Sequence, residues 1–196
     1  MLQVYSFSAL FSIFEWAFFQ RFAPDRLANQ YCVPTFDLPG HAKNVGEQLK
    51  QGKFNPSQKY RALNTEPLTT YGSIEIRLLG GSDNAEKPLE WMEILLELYD
   101  YVKNNPKLTP QEVLEALSED PMTFTQQTLP KVYAAIKDVD DVERKVEFGV
   151  FACQDYAFVV DWAPVKTADP PKKVRKVNPA QNHLATFDEF DAYEEY

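Results

Sequence analysis

Residues 71–103 read YGSIEIRLLGGSDNAEKPLEWMEILLELYDYVK, and a change of period inside them decides the fold class. From Tyr71 onward, Ile74, Ile76 and Leu78 alternate with Ser73, Glu75 and Arg77, which predicts a strand with one buried face. Glu75 and Arg77 then project from the same face. The Gly80-Gly81 pair ends the strand, and 87–103 is predicted as a helix. Trp91, Leu95, Leu98 and Val102 mark one face of it, and Leu89, Met92, Leu96 and Tyr99 mark another. So much apolar surface implies a helix buried on two sides. Strand and helix side by side place the chain in the α+β class.

Upstream, residues 4–19 are the most apolar part of the chain. Phe7, Leu10, Phe11, Phe14 and Phe18 fall on one helical face, widened by Ile13 and Ala17, so a buried helix needing substantial cover is predicted. Glu15 and three serines interrupt the stretch, which also falls short of the roughly 20 residues of a membrane span. No basic residue precedes Arg21, so it does not read as a signal peptide. Between 23 and 58, four prolines and three glycines predict a long irregular connection that carries His41, a solvated histidine rather than a ligand.

Downstream, Thr109-Pro110-Gln111-Glu112 has the form of a capping box opening a short helix through Leu117. Helical segments are expected after Thr128-Leu129-Pro130 and through 138–144. Residues 146–162, rich in Val, Phe, Tyr and Trp, predict one or two late strands broken near Gln154-Asp155. Residues 164–196 read as a flexible charged tail, with basic Lys172, Lys173, Arg175 and Lys176 followed by acids interleaved with aromatics.

The whole chain has 196 residues, 44% of them hydrophobic, and a net charge of −9, so it can bury a core but has no global positive field for a nucleic-acid backbone. Cys32 and Cys153 are too few for a disulfide framework, and a cytoplasmic setting without membrane or nucleic-acid partners is the expectation. The chain contains no P-loop, G-x-G-x-x-G or H-E-x-x-H motif.

One constellation could carry chemistry: Arg61 and Asn64 in KYRALN, then Glu75 and Arg77 in YGSIEIRLL. Same-face neighbours on a strand lie about 7 Å apart, so a carboxylate and a guanidinium could hold different parts of one ligand. The alternative is that Glu75 and Arg77 are charge partners on a solvated sheet face.

RLANQYCVP at 26–34, KYRALN at 59–64 and YGSIEIRLL at 71–79, followed by a Trp-bearing helix, together resemble the C-terminal half of the amidoligase family. These carboxylate-amine ligases have a glutamine-synthetase-like fold and occur in bacteria and their phages. The resemblance covers residues 4–103. It implies antiparallel strands packed with helices over residues 1–163, and ATP-dependent amide formation through an acyl phosphate. By motif, Glu75 would be a Mg²⁺ ligand, Arg77 a grip on the transferred phosphate or substrate carboxylate, Arg61 a phosphate contact, and Asn64 an orienting group. Cys32 occupies the family's YC position but reads as a buried thiol rather than a nucleophile.

The family's N-terminal half, whose strand supplies paired acidic metal ligands, has no counterpart in this sequence. A protein partner supplying that half is therefore expected, and the apolar first helix would ordinarily pack on it. The competing expectation is a non-catalytic bacterial or phage accessory binding protein that keeps the ligase scaffold.

Overall fold

The structure, a computed structural model, describes residues 2–35 and 60–154. Its centre is helix α1, Leu2–Phe22. No proline or glycine interrupts this segment, and apolar residues occur all round it, so it is stable only with neighbours on every side. The rest of the described chain supplies them: α3 (Glu86–Asn104), α4 (Pro110–Glu119), α6 (Pro130–Ile136) and α7 (Val142–Ala152) all pack on α1. The cover expected from a separate half of the molecule is thus provided by this chain's own helices.

At 21 residues, α1 is long and apolar enough to cross a membrane by length and composition alone, contrary to the sequence estimate of a shorter stretch. In the fold, 78% of its most apolar window is buried inside the protein. Two of its three serines satisfy their hydroxyls on backbone carbonyls: Ser8 Oγ donates to Val4 O at 2.7 Å, and Ser6 Oγ to Leu108 O at 2.5 Å. Trp91 of α3 meets Phe11, Phe18 and Phe22 at ring-centroid distances of 6.3, 5.4 and 5.0 Å.

α3 follows the predicted 87–103 closely, but only one of its two apolar faces is covered. Trp91, Ile94, Leu98 and Val102 are buried, whereas Leu89, Met92, Leu96 and Tyr99 are exposed. The reason is positional: α1 lies on one side of α3, and among the described residues nothing closes the other. The capping box at Thr109 forms as predicted, with Thr109 Oγ1 receiving Glu112 N–H and Glu112 receiving Thr109 N–H. Asp120 caps α5 (Pro121–Thr128). Glu97 accepts the N–H groups of Lys131 and Val132 at the start of α6, at 2.9 and 2.8 Å.

One sequence expectation holds only in part and another fails. Of the segment 138–144, residues 138–141 are a turn that passes through Asp141 at φ +50°, and 142–144 are helical, as the start of α7. Residues 146–152 are helix, not strand. Val146, Gly149 and Cys153 are buried at helical spacing while Arg144 and Glu147 face out, so periodicity prevails over the β-favouring composition. Residues 155–162, His41 and the tail at 164–196 lie outside the described residues.

The β structure is small. Strands β1 (Leu63–Asn64) and β2 (Glu75–Ile76) pair antiparallel, with Asn64 opposite Glu75. The predicted strand shortens because Tyr71 ends a short helix, α2 (Leu68–Tyr71), which Gly72 closes at φ +68°. The observed class is mostly helical with a two-stranded antiparallel sheet, broadly α+β.

Candidate functional site

The small sheet gathers all three segments that carry the family resemblance. Val33 and Arg61 form a parallel bridge, in which Val33 N–H donates to Tyr60 O at 2.8 Å and Ala62 N–H to Val33 O at 3.0 Å. On the other edge, Arg77 N–H donates to Ala62 O at 2.8 Å, continuing the β1–β2 ladder. Arg26 locks the arrangement from below, donating to the carbonyls of Arg77 and Leu79 at 2.5 and 2.8 Å. Sequence reasoning missed Arg26. It stands in the first motif, but its role as a backbone clamp depends on contacts more than 50 residues away.

Asn64, Glu75 and Arg77 meet at one carboxylate oxygen. Glu75 Oε2 accepts from Asn64 Nδ2 at 2.9 Å and from Arg77 Nη2 at 2.8 Å. Asn64 Oδ1 in turn accepts Glu66 N–H at 3.0 Å, which fixes the amide's orientation. Glu75 and Arg77 therefore hold each other instead of standing apart for two ends of a ligand. This is the charge-partner arrangement, along one strand, with Asn64 as the cross-strand member. The Arg77 side chain is 23% exposed, and its Nε is buried without a hydrogen-bond partner among the described residues. Arg61 enters the same sheet through its backbone, next to Ala62.

Whether a magnesium ion fits can be judged from the donors. The carboxylate at the meeting point is that of Glu75, and its Oε2 already accepts two hydrogen bonds, from Asn64 and Arg77. Among the described residues no group of three or more His, Cys, Asp or Glu could hold a metal ion. Mg²⁺, which needs several oxygen ligands in near-octahedral array, does not fit these residues by themselves. Two clefts are prominent among the described residues, one between α3 and the start of α6 and one between α1 and the turn after α6. Neither is lined by Glu75 or Arg77.

Cys32 is fully buried, and its Sγ donates to Arg77 O at 3.4 Å. Burial pushes its thiol up to about 11, with Glu15 adding to the rise while Arg26 and Arg77 pull it back. A thiol so placed stays protonated near neutrality and is a poor nucleophile. No protein-family model, curated protein or solved structure matches the chain.

Proposed function

We propose that this chain supplies the anion-gripping part of an ATP-dependent carboxylate-amine ligase. In this reading Arg77 contacts the transferred phosphate or the substrate carboxylate, and Asn64 and Glu75 hold the guanidinium in position. Arg61 is a second phosphate contact. The carboxylates that would hold magnesium belong to a half supplied from outside this sequence, so the chain alone is expected to bind nucleotide weakly. The observation that supports the reading is the convergence of three separate motif segments on one sheet carrying Asn64, Glu75 and Arg77.

The test is carboxylate- and hydroxylamine-dependent ADP release by the chain co-expressed with the reading frames that flank its gene. Arg77→Ala should slow that reaction by about 30-fold or more, the loss of one charge-assisted contact to a developing anion, at unchanged far-UV circular dichroism. An unchanged rate removes Arg77 from the site.

A second reading, a non-catalytic binding protein on a ligase-like scaffold, is favoured by the Glu75–Arg77 bond, which occupies both groups, and by the absence of either residue from the two clefts. Deleting residues 165–196 separates the two: ligation should survive the deletion, while binding carried by the tail should not.

A further inference from the structure

The outer face of α3 carries Leu89, Met92, Leu96 and Tyr99, each more than half exposed, at successive spacings of three, four and three residues. That spacing forms one apolar stripe along the helix, about 15 Å long at the helical rise. Isolated exposed apolar residues are ordinary on a protein surface, but four in register along one helix make a contiguous patch. Residues of the same helix that face the core are buried, so the stripe is a second apolar face and not an edge of the first.

One border of the stripe is acidic. Glu93, Glu97 and Asp100 run along it, and α3 as a whole has five acids (Glu86, Glu90, Glu93, Glu97, Asp100) against two lysines (Lys87, Lys103). Lys131 reaches Glu93 at 3.3 Å and Glu97 caps α6, but Asp100 makes no ion pair among the described residues. Beside this border lies a cleft of about 470 Å³, lined by Glu93, Glu97 and Asp100 against Lys131, its one cation among the described residues, with Leu96 and Tyr101 as its apolar wall. At the end of the stripe Lys103 Nζ lies 5.6 Å from the Tyr99 ring, so the aromatic surface already accepts a cation.

We infer that this face is a docking groove for a basic amphipathic helix of a partner protein. The partner's apolar anchors, every third or fourth residue, lie along Leu89, Met92, Leu96 and Tyr99, and one of its Arg or Lys side chains enters the acidic cleft beside Leu96. A second copy of this chain fits less well, because two α3 helices laid face to face bring one acidic border toward another and the chain already has a net charge of −9. The inference is independent of the ligase reading and stands or falls without it.

The probe is a fluorescein-labelled synthetic helix of about 18 residues, leucine at every third or fourth position and lysine elsewhere, titrated with the full chain by fluorescence anisotropy. A matched helix with glutamate in place of lysine should bind at least about tenfold more weakly. Met92→Ser combined with Leu96→Ser should weaken the lysine helix by about tenfold or more, and Asp100→Lys by about threefold, with circular dichroism unchanged because all three side chains are exposed. Glu143→Lys on α7 is the charge control and should leave affinity where it was. Equal binding of the two probes, or indifference to the Met92 and Leu96 substitutions, overturns the proposal. A dimer by light scattering that the same pair of substitutions dissolves also overturns it, by assigning the face to a second copy.

Discussion

Glu15 sits fully buried in the most apolar helix of the chain, and its two carboxylate oxygens take the N–H and the hydroxyl of Thr35 at 2.6 and 2.9 Å. A charge-bearing group survives there only with such partners, and here the partners also fasten the segment that carries Cys32 and Val33 to α1. Glu15→Ala leaves both Thr35 donors unpaired and opens a void, so it should cost about 3 kcal/mol in urea unfolding. Thr35→Val removes only the hydroxyl bond and should cost about 1 kcal/mol. Cys32 gives a pH prediction. Well below pH 9, the ordinary value of a cysteine, its thiol is protonated in both states. Above that, the unfolded chain releases a proton that the folded chain retains until about pH 11, so stability should fall as pH rises through this window. Burial shifts Cys153 and Tyr5 in the same direction, extending the loss to higher pH. Urea midpoints measured from pH 8 to 11 check it, and a flat profile would contradict it. Same-face placement of Glu75 and Arg77 was legible from alternation. Their bond to each other through a shared oxygen with Asn64 was not, since it depends on which residue the register sets opposite Glu75.

Helix α7 crosses α1 at Gly149, where a Cβ would fall 2.7 Å from the Ile13 carbonyl carbon and closer still to its oxygen. Backbone atoms cannot move aside as a flexible side chain can, so Gly149→Ala should separate the two helices and cost about 3 kcal/mol. A urea midpoint equal to that of the parent would show that the crossing is looser than the backbone distance requires. Around this contact, Trp16 meets Phe148 edge-on at 5.2 Å and the buried Lys145 lies 5.9 Å from the Trp16 ring. None of this was read from the sequence, where Val146, Phe148, Val150 and Phe151 suggested strand by composition. The capping box at Thr109 was legible because its bonds join residues three apart. For α3, the sequence displayed two apolar faces correctly, but which of them would be covered depends on where α1 lies.

At the scale of the molecule, α1 is the common core: its rings contact Trp91 of α3, and α4, α6 and α7 pack around it. Phe18, fully buried between Phe11, Phe14 and Trp91, is the central ring of that cluster. Phe18→Ala should cost about 3 to 5 kcal/mol, and Trp emission and far-UV circular dichroism should lose structure in one coincident transition, as a shared core requires. Separated transitions would mean that the helices around α1 are not one cooperative unit. The sequence by itself determined the buried character of α1, the extent of α3, the α4 cap and the mixed class, because these follow from period and from bonds between near neighbours. Only the tertiary structure decided that α1 is covered by its own chain, that 146–152 is helix, and that Arg26, Asn64, Glu75 and Arg77 close on one another around a two-residue ladder. Those outcomes rest on contacts between residues far apart in the chain, whose energies depend on a three-dimensional register that local pattern does not encode.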